Sequence, residues 1–281
     1  MPKKKTIRHQ MKRKLELLTH LHTSRHEEKA ANQGRSAAIH STGTLQTYLQ
    51  QADNFADYLI DHNMKYCTLE EAQAQAADYV RSRQSTWSQS TARAALAKIF
   101  GVPGELLCPL EKRSPDQISR GREYTDRTAA IERNHKDLAT ACRAMGLRRG
   151  KELQSLTAKD IRYKGGDMYA RVKGKGGRIR EAFILPAGRE IISQRIAERP
   201  TGPLFTVPSH ANVHRWRADY AAQCYQYALD HGHSSGTYYC PHDGSGTRWD
   251  KGALDWVSQQ MGHGSDRYYT LYYDYLTYGG K

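Results

Sequence analysis

The stretch Asp167-Met-Tyr-Ala-Arg-Val-Lys-Gly-Lys-Gly-Gly-Arg-Ile-Arg-Glu-Ala-Phe-Ile-Leu185 decides how the second half of this 281-residue chain is read. Asp167–Val172 and Arg180–Leu185 carry strand-forming residues, and Gly174-Lys-Gly-Gly177 between them supplies a glycine-rich turn. The segment therefore predicts a β-hairpin. Helical periodicity surrounds it, over Ala129–Met145 before and over Glu190–Arg199, His214–His231 and Leu254–Met261 after. Residues 124–281 are thus predicted to form a mostly helical domain with one small sheet and a tyrosine-rich close.

Working towards the N-terminus, residues 109–123 place Pro109, Pro115 and Gly121 among charges and read as a linker. Residues 39–108 read as a small all-helical domain. Leu45, Tyr48, Leu49, Phe55, Tyr58 and Leu59 recur at three- and four-residue spacing. Thr68-Leu-Glu-Glu71 is a capping box that opens a second helix through about Arg83, and a third is expected over Thr91–Phe100, ended by Gly101 and Pro103. Arg81, Arg83, Arg93 and Lys98 are expected on its exposed faces. Residues 1–38 read as a basic arm that orders on a polyanion, because residues 1–35 hold ten lysines and arginines against three glutamates.

Lysine and arginine outnumber acids 43 to 29, a net charge of +14 that attracts polyanions, nucleic acid above all. Charged residues make up 26% and hydrophobic ones 38%, enough for a core in a polar chain of mean hydropathy −0.80. No apolar run approaches the roughly 18 residues of a membrane span. The opening Met1-Pro-Lys-Lys-Lys5 lacks the apolar stretch of a secretory signal. Cys67, Cys108, Cys142, Cys224 and Cys240 are scattered and odd in number, as suits reduced thiols in a cytoplasm. Neither secretion nor membrane insertion is expected.

The Gly174-Lys175-Gly-Gly turn lacks the layout of a nucleotide-binding loop, whereas a lysine on a hairpin tip can reach into a DNA groove. His231, His233, Cys240 and His242 stand near tetrahedral-zinc spacing, but in a Gly/Ser-rich span that reads equally as a plain loop. No metal or cofactor is expected.

Three pieces in order carry more. Gly146-Leu-Arg148-Arg-Gly-Lys-Glu152-Leu, then Val172-Lys-Gly-Lys175-Gly-Gly-Arg178, then Met261-Gly-His263 followed by tyrosines, resemble the tyrosine recombinase (phage integrase) family. His214-Arg-Trp-Arg217 fits the His-x-x-Arg that the family needs between the second and third, with a longer than usual distance to His263. The resemblance covers roughly residues 40–281. It implies a mostly α protein with a small β-sheet and two-domain architecture, a helical SAM-like core-binding domain followed by an α+β catalytic domain, the two clamped around duplex DNA.

The resemblance also implies the site. Arg148 supplies the first arginine, with Arg149 as the alternative that keeps the commoner three-residue distance to Glu152. Arg217 supplies the second. His214 accepts the tyrosyl proton or binds phosphate, His263 donates a hydrogen bond, and Lys175 protonates the departing 5′-oxygen. The nucleophile comes from Tyr268, Tyr269, Tyr272, Tyr273, Tyr275 or Tyr278. Tyr273 preserves a Thr-x-x-Tyr pattern with Thr270 and is taken first, Tyr272 and Tyr275 being the alternatives. Such a set suits metal-free cleavage of a phosphodiester, because planar, permanently charged guanidiniums clamp the oxygens on which charge develops. The implied activity is site-specific DNA recombination through a 3′-phosphotyrosyl link by a homotetramer of a phage or bacterial mobile element. The rival readings are a type IB-like topoisomerase and an inactive DNA-binding protein of the same fold.

Overall fold

The computed structural model describes residues 4–21, 23–34, 36–111, 125–174 and 177–277. The chain divides into two compact units, Met1–Ile118 and Ser119–Lys281. The division falls within the expected linker, of which residues 112–123 lie outside the described residues, as does Tyr124. No helix among the described residues is long and apolar enough to cross a membrane.

The first unit is helical, and its first helix corrects the reading of residues 1–38 as an arm. Helix α1, Ile7–Leu17, buries Ile7, Met11 and Leu15 completely. These residues recur every four positions and form one narrow apolar stripe on an otherwise charged helix. They pack with Phe55, Ala56 and Leu59 of α3 (Thr42–Asp61). Two cations of the supposed arm are neutralised there: Arg8 pairs with Asp57, and Lys12 with Asp53 at 2.8 Å. The Ile7 amide donates to the Lys65 carbonyl at 2.9 Å, which fixes the helix start. A second short helix, α2 (Arg25–Ala31), has no buried residue.

The capping box at Thr68 is present, the Glu71 carboxylate accepting from the Thr68 amide at 2.7 Å. The helix it opens is two pieces, α4 (Leu69–Ala74) and α5 (Ala76–Ser82), joined at Gln75. Ser85 caps α6 (Thr86–Phe100), which starts five residues earlier than expected, and Gly101 ends it at φ +70°. A short α7, Gly104–Leu107, follows. Of the four cations expected to be exposed, Arg83, Arg93 and Lys98 are half-buried, and the last two donate to the Cys108 and Ser36 carbonyls.

The second unit opens with α8 (Asp126–Asn134) and α9 (Lys136–Met145), broken at His135 where φ is −133°. An irregular π-type turn, Arg149–Leu153, leads into three antiparallel strands, β1 (Ile161–Lys164), β2 (Asp167–Lys173) and β3 (Ile179–Ile184), in that spatial order. The expected hairpin is β2–β3, closed from Met168 opposite Ile184 to Lys173 opposite Ile179. The first strand adds an edge the sequence reading left out. Then come α10 (Pro186–Glu198) and α11 (Val213–Asp230). A two-residue ladder follows, β4 (Tyr238–Tyr239) with β5 (Trp249–Asp250), before α12 (Lys251–Gln260), α13 (Tyr268–Leu271) and a π-type turn at Tyr272–Leu276.

Helix α11 runs through the core of this unit, with Trp216, Ala218, Tyr220, Ala221 and Cys224 fully buried. The Tyr220 hydroxyl donates to the Phe183 carbonyl at 2.8 Å and so ties α11 to the sheet. Its ring leaves no room at the end of α9, where a Cβ on Gly146 would lie 2.1 Å from Tyr220 Cδ1, and Gly146 also takes φ +57°. Glycine is required there on both counts.

The packing of α1 yields a direct test. Truncating a fully buried methionine costs about 2–5 kcal/mol, so Met11→Ala should lower the unfolding free energy of the first unit by that amount in urea denaturation. A flexible arm would give no change.

Candidate active site

The first arginine motif sits where α9 has just ended. The left-handed Gly146 reverses the chain, Leu147 is buried, and Arg148 then enters the π-type turn in extended conformation. Arg148 Nη1 donates to Glu152 Oε1 at 2.7 Å and its amide donates to Oε2 at 2.8 Å. Arg180, on β3, donates from Nη2 to the same Oε2 at 2.9 Å. Glu152 is only 3% exposed. Burial alone would push its carboxyl up, but the hydrogen bond and charge of Arg180, with the Arg148 contacts, hold it down at about 2. It is a permanent carboxylate between two guanidiniums.

Arg217 projects from the first turns of α11 and is 3% exposed. It donates to the carbonyls of Gly146 and Met261, joining the end of α9 to the end of α12. Its guanidinium carbon lies 5.5 Å from the centroid of the Tyr275 ring. Burial lowers its pKa, and the Tyr275 oxygen, within hydrogen-bonding reach, opposes that.

His214, one turn earlier on α11, is exposed and stacks on the same tyrosine: its ring centroid is 5.6 Å from that of Tyr275, with the planes 28° apart. His263 lies in the turn after α12, and its ring centroid is likewise 5.6 Å from Tyr275. Burial lowers the His263 imidazole first, and Arg217 and Arg148 lower it further, to about 4. It is neutral at pH 7, and its Nε2 is buried with no hydrogen-bond partner among the described residues.

Arg148, Arg149, Ala211, Asn212, Val213, His214, Arg217 and Tyr275 line one cavity of about 380 Å³. Of the expected residues, Arg148, His214 and Arg217 thus meet on one wall, and His263 adjoins through Tyr275. Arg149 also lines the cavity, but its guanidinium donates to the Pro208 carbonyl at 2.5 Å, whereas that of Arg148 is held by the buried Glu152. Lys175, with Gly176, lies outside the described residues; the hairpin reaches the site at Gly174, where a Cβ would meet Glu152 at 3.2 Å and Arg148 at 3.4 Å.

The tyrosines separate clearly. Tyr273 packs its ring against Tyr269 and Tyr272, with centroids at 4.6 and 4.9 Å, and does not line the cavity. The Tyr272 hydroxyl donates to Asp243 at 2.7 Å. Tyr278 lies outside the described residues. Tyr275 is the tyrosine among the described residues that faces the arginines and histidines. Residue counting after His263 does not single it out among the candidates, because the intervening chain is a loop, a four-residue helix and a π-type turn, whose phase no fixed spacing captures.

Sequence reading also missed Arg180. A signal existed: with side chains alternating along a strand, Arg180 shares its face with Ala182 and Ile184, both fully buried, while the apolar Ile179 points outward at 56% exposure. The zinc spacing does not mature. His231 stacks on Tyr227 and His233 on Trp256, and no three His, Cys, Asp or Glu side chains among the described residues gather as a metal site.

Among solved structures, the chain is similar to XerH site-specific recombinase bound to palindromic difH substrate in a post-cleavage complex, at 15% identity and TM-score 0.52, covering 95% of this chain and 91% of that one. It is also similar to the Tn1549 transposon integrase in complex with circular intermediate DNA, at 11% identity and TM-score 0.45, covering 98% and 95%. No protein-family model matches the chain, and no curated protein does. The fold is that of the two-domain tyrosine recombinases: mostly helical, with a small antiparallel sheet.

The Glu152 geometry predicts a pH-dependent cost. Glu152→Gln leaves two guanidiniums without their shared anion and should destabilise the second unit by about 3–5 kcal/mol at pH 7. Because the folded carboxyl is held near 2 against an ordinary 4.5, the gap between wild type and variant should be full above about pH 4.5 and close as pH falls towards 2. Urea denaturation across that range measures it; a gap independent of pH contradicts the ion-pair account.

Proposed function

We propose that the protein cuts and rejoins duplex DNA by transesterification, with Tyr275 as the nucleophile in place of Tyr273, which the Thr-x-x-Tyr pattern with Thr270 put first. The observation that carries this reading is the surroundings of Tyr275, which lines a cavity together with Arg148, His214 and Arg217 and whose ring has Arg217, His214 and His263 as neighbours.

In the proposed step the Tyr275 oxygen attacks a backbone phosphorus, a 3′-phosphotyrosyl bond forms, and the P–O5′ bond breaks. A phenol, with a pKa of about 10 in water, is a weak nucleophile at neutral pH. His214, exposed in the cavity and stacked on Tyr275, takes its proton. Charge develops on the non-bridging oxygens, where Arg148 and Arg217 donate charge-assisted hydrogen bonds from positions already fixed before DNA arrives. His263, neutral at pH 7, adds a hydrogen bond from its unpartnered Nε2. Lys175, on the hairpin beyond Gly174, supplies the proton to the leaving 5′-oxygen.

The phosphotyrosyl bond retains the energy of the broken ester, so a second 5′-hydroxyl reverses the step without ATP. Four protomers exchanging strands between two specific sites, as in the mobilisation of a genetic element, is the use we propose for this chemistry. The likeness in fold to XerH, solved with its difH substrate, supports DNA as the partner. The net charge of +14 supports it independently.

The test uses a library of randomised duplexes carrying a nick close to the cleavage position, so that the released 5′ fragment diffuses away and traps the covalent product. Wild type and Tyr273→Phe should give an SDS-resistant protein–DNA adduct, and Tyr275→Phe none. An adduct that survives in Tyr275→Phe and disappears in Tyr273→Phe overturns the assignment; no adduct from wild type overturns the reaction.

A further inference from the structure

Arg180 is a buried cation that the proposed chemistry does not use. Its side chain is 9% exposed. Its three nitrogens do three different things: Nη2 donates to Glu152 Oε2 at 2.9 Å, Nε donates to the Gln260 carbonyl at 3.0 Å, and Nη1 is buried without a partner among the described residues. Gln260 is the last residue of α12, three before His263, and its side-chain oxygen accepts from the Phe183 amide of the same strand at 2.9 Å. Strand β3 therefore grips the end of α12 through both the main chain and the side chain of one residue.

The next turn is shaped around Arg180. Gly262 takes φ +69°, and a Cβ there would stand 2.9 Å from Arg180 Nε and Cδ. A residue with a side chain would push the guanidinium off its two acceptors. On its other side, Glu152 passes the contact to Arg148, whose Nη1 shares the carboxylate. An apolar side chain of similar size would fill this space without a buried charge or an unmet donor. The arrangement is thus a poor choice for stability alone, and a planar fork is what two acceptors in separate directions require.

We propose that Arg180 is a positioning residue, a single guanidinium on β3 that fixes both the carboxylate aiming Arg148 and the turn presenting His263. It thereby sets the distance between the hairpin, the first arginine and the histidine, three motifs far apart in the chain. The inference deepens the cleavage reading and rests on it for its consequence in catalysis, but the network exists whether or not DNA is cut.

Two measurements on the full chain test it. The first is the titration of His263, followed by NMR of histidine-labelled protein and assigned with His263→Gln. The groups facing this imidazole are Arg217, Arg148, Asp274 and Arg180, with the Tyr275 ring against it. Arg180→Gln removes one positive charge and frees the Glu152 carboxylate, so the midpoint should rise from about 4 towards the ordinary value of a histidine. An unchanged midpoint overturns the proposal. Should Arg180→Gln not fold, Arg180→Lys keeps the charge but cannot hold both acceptors; amide exchange at Gly262 and His263 should then quicken relative to α3, and equal protection overturns it.

The second is the rate of adduct formation on the nicked library, where misplacement of two donors should cost roughly 10–100-fold in Arg180→Lys at unchanged DNA affinity. A wild-type rate in that variant also overturns it. If wild type forms no adduct while the His263 midpoint shifts as expected, the cleavage reading fails and the positioning network stands.

Discussion

A guanidinium sunk into the core of the second unit is the constraint on which the rest of the site depends. Arg217 can be buried only because the carbonyls of Gly146 and Met261 both point at it, and they point at it only because α9 and α12 end there. Gly146 must be left-handed to expose its carbonyl beside the Tyr220 ring, and Tyr220 in turn anchors α11 to β3. The helix ends, the left-handed glycine and the strand contact are therefore one solution to one problem, the placement of an almost wholly buried charge at the edge of the cavity. Tyr275 completes it by laying its ring beside the same cation.

Around that centre the charges divide into fixed and responsive. Arg148, Arg180 and Arg217 crowd a small volume with Glu152 as the anion between two of them. The surplus is positive, and the neutral state of His263 follows from it together with burial: a further cation in the same place is repelled. Fixed cations in surplus suit an anion, because their charges need not reorganise to meet it. The hairpin backbone at Gly174 abuts the Arg148–Glu152 pair, which brings the segment leading to Lys175 to the same place.

Much of this was legible in the sequence wherever local chemistry sets the structure. The glycine-rich β2–β3 hairpin, the Thr68 capping box and the helix over His214–His231 follow from period and turn residues within a dozen positions. The meeting of Arg148, His214 and Arg217 followed from ordered motifs rather than from any one of them. What escaped was decided by distant contacts. Three apolar residues in a run of cations look like an arm until Phe55 and Leu59 are seen to cover them. Arg180 looks like one more basic residue of a hairpin until Glu152, 28 positions earlier, and Gln260, 80 later, are found on its nitrogens. Tyr275 was in the candidate set, but which of the closing tyrosines faces the arginines and histidines depends on the phase of those helical turns, which a π-type turn shifts.

The most direct test is a crystal structure of the Tyr275→Phe protein bound to a duplex selected from the randomised library. One backbone phosphate is expected with its non-bridging oxygens on Arg148 and Arg217. The edge of the substituted ring should stand where an in-line oxygen would, opposite the 5′-bridging oxygen. A phosphate held elsewhere on the second unit, or one approached by Tyr272 or Tyr273 instead, would contradict this placement.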